Sequence, residues 1–310
     1  MDLQKRMLVW RSMLFVPVNV DRFVDKAHTR GADAIILDLE DAVAASEKEN
    51  ARSRVMQAAE KVSRGSSDVL VRINRPWRLA LKDLEATICP AVQALALPKV
   101  DSREQVQVLS EVTAELESER GMVVGATQFF VSIETVAGFL RVQEIAAADE
   151  RVVAIGLGAG DFSLCTGVFP GPEELVYPNL EVVIAARAAG CIPLGLLSTI
   201  DDYTDLDRFR AIARRSQRLG LQGSACVHPH QVPILNAEFS PTKEEVAQAR
   251  RVIAAFEEAL AAGKGAIEVG GKMVDLPVVR GARALLESHE VIQERERRAR
   301  LGDHGIFSME

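Results

Sequence analysis

Apolar positions along this chain follow two alternating rhythms. Short runs rich in β-branched and aliphatic residues read as strands, and between them lie longer segments whose apolar residues recur at helical spacing. SMLFVP (12–17) precedes VDRFVDKAHTRG, AIILDLED (34–41) precedes SEKENARSRVMQAAEKV, DVLVRIN (68–74) precedes LALKDLEATI, and ALALPKV (94–100) precedes SREQVQVLSEVTAELES. The rhythm continues with TQFFVSIET (127–135) before VAGFLRVQEIAAA, VVAIGLGAGD (152–161) before LEVVIAARAAG, IPLGLLS (192–198) before LDRFRAIARRSQRLG, and GSACVHP (223–229) before HQVPILNAEF. Strands separated by helices pair in parallel, because the helix supplies the long crossover that parallel pairing needs. The strand runs are mostly continuously apolar, as strands covered on both faces are, and there are eight βα units. The pattern predicts an α/β fold, a (β/α)₈ TIM barrel over residues 1–239, in preference to an open doubly wound sheet.

The rhythm stops near residue 240. Ser240-Pro241-Thr242 reads as an N-cap with a proline in the first turn, opening a helix through about Ala262. KGAIEVGGKMVDLP follows, and the glycines at 263, 265, 270 and 271 predict a mobile flap with hinges. The run ending in QERERRARL predicts a solvated helix face with opposite charges three or four residues apart. Residues 240–310 are therefore expected to form a C-terminal helical extension and lid.

A chain of 310 residues accommodates such a barrel with an appendage. At 48% hydrophobic and 26% charged it has globular composition, which excludes disordered and disulfide-scaffold classes. With 37 basic and 44 acidic side chains the net charge is −7, a balance that repels a phosphate backbone and argues against nucleic acid as a partner. Cys89, Cys165, Cys191 and Cys226 form no CxxC pair and sit in or beside apolar runs, so they read as buried, reduced thiols of a cytoplasmic protein. Near the start, Arg11 and Ser12 interrupt the apolar run and Pro17 closes it, which predicts a strand and not a signal peptide. No apolar stretch approaches the ~18 residues of a membrane span.

In a parallel barrel the site is built at the carboxyl ends of the strands. Those ends carry Asp38, Glu40 and Asp41 after the second strand, Arg72 and Asn74 after the third, Lys99 after the fourth, Glu134 and Thr135 after the fifth, and Asp161 after the sixth. One acid at a strand end is ordinarily a helix cap or a surface charge. So many facing one centre need a cation, or Arg and Lys, to offset their repulsion. Glu134 and Asp161 end consecutive strands, and two carboxylates with open positions for water and substrate suit Mg²⁺. His228 and His230 read as a turn histidine and a helix-start histidine. GLGAGD (156–161) lacks GxGxxG spacing, and GxSxG, Walker and HExxH motifs are absent, which removes the usual signatures of dinucleotide, elbow-hydrolase, P-loop and zincin chemistry.

RSMLFVPVNVDRF, GADAIILDLEDAV followed by Lys48 and Arg52, VRIN, ALALPKV, SIET, GAGDFS, CVHPHQV and GGKMVDLP together resemble the citrate lyase β-subunit-like family of acyl-CoA lyases, within the HpcH/HpaI aldolase superfamily. Malyl-CoA and citramalyl-CoA lyases belong to it. The resemblance spans nearly the whole chain and implies a barrel that assembles as a trimer or hexamer. It implies Mg²⁺ held by Glu134 and Asp161, Arg72 near the thioester oxygen, and Glu40 and Asp41 ordering metal waters and Arg72. Phe15, Arg22, Lys26, Val227 and His228 match segments that touch a coenzyme A thioester. Asp275 matches an acid on a lid that closes over a neighbouring subunit's site and handles a proton.

The reaction implied is reversible carbon–carbon cleavage of a carboxylated 3-hydroxyacyl-CoA into an acyl-CoA and a 2-oxo acid. Val18 departs from the family, which usually has glycine there, and its side chain is expected to crowd the acyl-CoA path. Three alternatives remain: a metal-dependent pyruvate aldolase without coenzyme A, a citrate lyase β subunit acting on a carrier-protein thioester, and a catalytically silent homologue. The first usually needs a histidine base, and His28 falls within a predicted helix on its exposed side.

Overall fold

The computed structural model describes residues 8–301. The elements run in the order β1 (Ser12–Pro17), α1 (Asp21–Ala27), β2 (Ala34–Asp38), α2 (Lys48–Val62), β3 (Asp68–Arg72), α3 (Trp77–Thr87), β4 (Ala94–Leu97), α4 (Arg103–Glu119) and β5 (Gln128–Ile133). Next come α5 (Val136–Phe139), α6 (Val142–Ala146), β6 (Val152–Leu157), α7 (Ala159–Thr166), α8 (Val176–Ala189), β7 (Ile192–Leu194), α9 (Leu206–Leu219), β8 (Ser224–Cys226) and α10 (Val232–Glu238). Beyond them lie α11 (Lys243–Ala261), β9 (Ile267–Val269), β10 (Lys272–Val274) and α12 (Leu276–Leu301).

The eight strands β1 to β8 form one all-parallel sheet in which each lies beside its sequence neighbour and β1 also pairs with β8. Two backbone hydrogen bonds bridge the remaining seam, from Gln222 N to Pro193 O and from Gly195 N to Gly223 O, both 2.9 Å. The sheet is thus a near-closed TIM barrel with its helices flanking it. Strand side chains such as Ile35, Leu37, Val69, Val71, Leu95 and Val131 are wholly buried and share one core with the inner faces of the helices. At the amino ends of the strands, Arg11 pairs with Asp33 at 2.8 Å and Trp10 donates to Asp68 at 2.8 Å. Arg151 forks onto Glu117 beside β5 and β6, at 2.9 and 2.7 Å.

Residues 10–239 form one compact unit, and residues 8–9 with 240–301 a second. In the second unit, Thr242 and Glu245 make a reciprocal capping box at the start of α11. Val252, Phe256, Val274 and Val279 make its small core. Glu294 accepts from Arg297 and Arg298 on α12, the local pairing predicted for a solvated face.

Several local expectations need correction. Pro241 precedes the cap and is not in the first turn, because Thr242 supplies the capping oxygen. The glycine-rich flap holds an antiparallel hairpin, β9–β10, in which Gly270 and Gly271 take positive φ (61° and 75°) and make its two-residue turn, not a hinge. The helix expected after β5 is split into α5 and α6, and the GAGD run belongs to the start of α7 instead of ending β6. Cys191 and Cys226 are buried, but Cys89 is half-buried and Cys165 exposed, since Cys165 lies on the outer side of α7. His28 follows the last residue of α1 and is half-buried, not exposed on a helix. Among the described residues no helix is long and apolar enough to cross a membrane.

Candidate active site

Strand register assembles the charged groups. Asp38, the last residue of β2, lies directly beside Arg72, the last residue of β3. Arg72 donates from Nε to Asp38 Oδ1 at 2.7 Å and from Nη2 to Asp38 Oδ2 at 2.6 Å. Its Nη1 faces Glu40 Oε2 at 3.1 Å, and its guanidinium lies over the Phe15 ring, 4.6 Å from the centroid. Asp38 is buried and also accepts from the backbone N–H groups of Glu40 and Ala42. A two-bond fork of this kind fixes the guanidinium plane. Burial opposes the charge on Arg72, yet the bonds to Asp38 and the nearby Glu40 raise its pKa further above the ordinary range.

The turn after β2 is clamped from two sides. Lys48 Nζ donates to the carbonyls of Leu39 and Glu40, at 2.8 and 2.5 Å. Asn74 Nδ2 donates to Leu39 O at 2.9 Å and to Asp83, which also accepts from Arg52. Burial pulls the Lys48 pKa down while Asp38 and Glu40 oppose the fall. Glu40 is buried too, and its pKa is raised by that burial against the pull of Arg72 and Lys99. Asp41 titrates below its usual range: burial would raise it, but the hydrogen bond from Lys99 and the positive charges of Lys99 and Arg72 together outweigh that.

Glu134 follows β5 directly and is 6% exposed. Its Oε2 is buried without a hydrogen bond, and Lys99 Nζ stands 3.9 Å away, beyond bonding reach. Burial pushes its pKa up to about 8; Glu40 and Asp161 add to the rise, and Ser132 and Lys99 work against it. Gly158 makes this placement possible, because a Cβ there would stand 2.4 Å from Glu134 Cγ. Asp161 sits in the first turn of α7, its side chain half-exposed, and Lys99 Nζ lies 3.3 Å from its Oδ2. A buried acid with an unsatisfied oxygen beside a half-exposed one is a donor pair suited to a hard cation. Among the described residues no three Asp, Glu, His or Cys side chains are arranged to hold a metal, so such a cation would complete its shell with water and substrate oxygens. Glu134, Asp161, Arg72 and Phe15 line a cavity of roughly 290 Å³ whose remaining wall is largely apolar, with Met13, Phe130, Leu194 and Leu196.

Residues 11–229 match the model of the HpcH/HpaI aldolase/citrate lyase family. The chain belongs to that family. It is 36% identical over 283 residues to the citrate lyase subunit beta of Leuconostoc mesenteroides subsp. cremoris, covering 89% of this chain and 92% of the relative. It is 32% identical over 305 residues to an L-malyl-CoA/beta-methylmalyl-CoA lyase of Cereibacter sphaeroides, covering 91% and 95%. Among solved structures it resembles CitE from Mycobacterium tuberculosis in complex with magnesium, acetoacetate and coenzyme A. The TM-score is 0.71 at 28% identity, over 91% of this chain and 98% of that one.

Of the residues this HpcH/HpaI-family sequence singles out, the barrel brings Phe15, Glu40, Asp41, Arg72, Glu134 and Asp161 together. Arg22, Lys26, Val227 and His228 do not line the cavity. Arg22 and Lys26 are exposed on α1, where Arg22 lies over Phe23 at 4.8 Å. Val227 is exposed, and His228 caps the turn after β8, its Nδ1 accepting from His230 N at 3.2 Å and its ring stacked on Tyr203. That is the turn role read from the sequence. Asp275 lies in the second unit and caps α12, its Oδ1 accepting from Val278 N at 3.4 Å. Val18 is 1% exposed and packed in the barrel core, so its methyl groups are enclosed by protein instead of standing in open solvent.

Sequence reading assigns no partner to Asp38, and names Arg and Lys only in general as the offset to the strand-end acids without singling out Lys99. Opposite charges at the ends of adjacent strands were the available signal for the first. For Lys99 only its place after Pro98 at a strand end hinted at a site.

Proposed function

We propose that this chain is a magnesium-dependent carbon–carbon lyase that cleaves, or forms, a carboxylated 3-hydroxyacyl-CoA such as malyl-CoA or citramalyl-CoA, exchanging it with an acyl-CoA and a 2-oxo acid. The observation that carries the reading is one cavity in which Glu134, with a buried oxygen that has no hydrogen bond, and the half-exposed Asp161 face a guanidinium held rigid by Asp38. Magnesium bound by Glu134 and Asp161 would supply Lewis-acid polarisation of the oxo-acid oxygens. Arg72 meets the negative charge that develops on the thioester oxygen when the bond breaks; because Asp38 pre-orients it, no reorganisation is needed at that moment. Glu40 and Asp41 order water and Arg72 at the rim. Phe15 closes the cavity beside Arg72, and Arg22, Lys26, Val227 and His228 receive the coenzyme. Asp275 returns a proton to the acyl carbon in cleavage and removes it in condensation.

A homo-oligomer in which the hairpin unit reaches a neighbouring subunit accompanies this reading. It is supported by Met273, Leu276 and Val278, exposed apolar side chains flanking Asp275 that a second subunit would cover. The 36% identity to a citrate lyase subunit beta favours a second reading, action on a carrier-protein thioester instead of free coenzyme A.

Mass spectrometry of purified protein with Mg²⁺, a panel of acyl-CoAs and glyoxylate, pyruvate or oxaloacetate tests the first reading and identifies the substrate pair. The same panel with carrier-protein thioesters tests the second. Glu134→Ala and Asp161→Ala are expected to abolish product and Mg²⁺ binding while circular dichroism stays that of the parent. Undiminished turnover by either variant in the presence of a chelator would refute the assignment.

A further inference from the structure

Lys99 is the only non-glycine residue with positive φ among the described residues, at 51°. A left-handed backbone is disfavoured for a lysine, and such outliers persist where the surrounding structure holds them for a purpose. Its Nζ donates to Glu40 Oε1 at 2.8 Å and to Asp41 Oδ2 at 3.0 Å. The same nitrogen lies 3.3 Å from Asp161 Oδ2 and 3.9 Å from Glu134 Oε2. One ammonium group therefore stands within ion-pair range of four carboxylates, drawn from the turn after β2, the end of β5 and the first turn of α7. Two of the four are the acids assigned above to a cation.

We infer that Lys99 is a tethered counter-ion that sets the divalent-cation affinity of the site. It converges the acids in the free protein and competes with the cation for Glu134 and Asp161. The inference rests on the reading of those two residues as cation ligands. Glu40 and Asp41 hold the ammonium close, so an entering cation meets a fixed positive charge and displaces the ammonium from Asp161, and from the neighbourhood of Glu134, without expelling it from the site. A like charge a few ångströms away weakens cation binding appreciably in a partly buried site. A purely structural lysine gives the opposite expectation, since its loss would loosen the acids and weaken binding.

The test is titration calorimetry of metal-stripped protein with Mg²⁺, repeated with Mn²⁺ by electron paramagnetic resonance. The variants are Lys99→Met, Lys99→Asn and Lys99→Arg. Asparagine is neutral and tolerates left-handed φ best of the three, so Lys99→Asn keeps the test informative if Lys99→Met fails to fold. The neutral variants are expected to bind at least about tenfold more tightly than the parent, and Lys99→Arg, which keeps the charge, within about threefold of it. Parent binding that is lost in Glu134→Ala, together with unchanged or weaker binding in the folded neutral variants, overturns the counter-ion role and leaves the metal site standing. No cation binding by the parent overturns the metal site and the counter-ion role with it.

Discussion

At the scale of single residues, the site leaves one buried acid short of donors that the rest of the barrel supplies to its own. Glu134 is buried with one oxygen lacking a hydrogen bond, whereas Glu117, also buried, receives two bonds from Arg151 and one each from the N–H groups of Gly125 and Thr127. Burial alone would raise the Glu117 pKa, but these donors hold it below the ordinary value of 4.5. A depressed carboxylate stabilises the fold above its unfolded pKa and loses that contribution as pH falls through the folded one. Glu117→Gln is therefore expected to cost about 3 kcal/mol at pH 7, since Arg151 stays buried without its counter-charge. The difference from the parent should narrow as pH drops below about 4.5, and urea denaturation at pH 7 and pH 3.5 measures both values.

At the scale of elements, close backbone approach decides where side chains are tolerated. β8 enters the sheet beside β1 through Ser224 N bonding to Arg11 O, and a Cβ on Gly223 would stand 1.8 Å from the carbonyl oxygen of Trp10. Backbone cannot yield there without separating the two strands. Gly223→Ala is expected to lower stability by about 3 kcal/mol or more. Gly281→Ala, inside α12 where nothing lies within 4 Å of the added carbon, should raise the stability of the second unit by about 0.5–1 kcal/mol. Thermal melts of the two variants beside the parent provide the comparison. Gly158 obeys the same logic at the site, where the missing Cβ leaves the space that Glu134 fills.

At the scale of the whole molecule, Glu134, Asp161 and Arg72 belong to the barrel, while Asp275 belongs to the hairpin unit, so the proposed function divides cation binding and proton transfer between the two. The two functions should then separate experimentally. Asp275→Asn is expected to leave Mg²⁺ affinity and ligand binding nearly unchanged while suppressing entry of solvent deuterium into the acyl methyl of acetyl-CoA, read by mass spectrometry. Exchange at the parental rate would give Asp275 no part in proton transfer beyond capping α12.

How much was legible differs between residues for physical reasons. Apolar period exposes a strand or helix because burial acts on every turn of it, so all eight strands and the arm could be read from the chain. The strand-end rule then drew attention to Glu40, Arg72, Glu134 and Asp161, since a parallel barrel has its chemistry at one end. Element ends were less legible: GAGD looks like strand until α7 is seen to begin at Ala159, and a glycine pair reads equally as hinge or hairpin turn. The sequence by itself determined the barrel, the family and the residue types gathered at its mouth, because local pattern and ordered motifs carry that information. Only the tertiary structure decided that Arg72 forks onto Asp38 and that Lys99 lies among four acids, because interstrand register and side-chain reach bring together residues from β2, β3, β4, β5 and α7 that are dozens of positions apart.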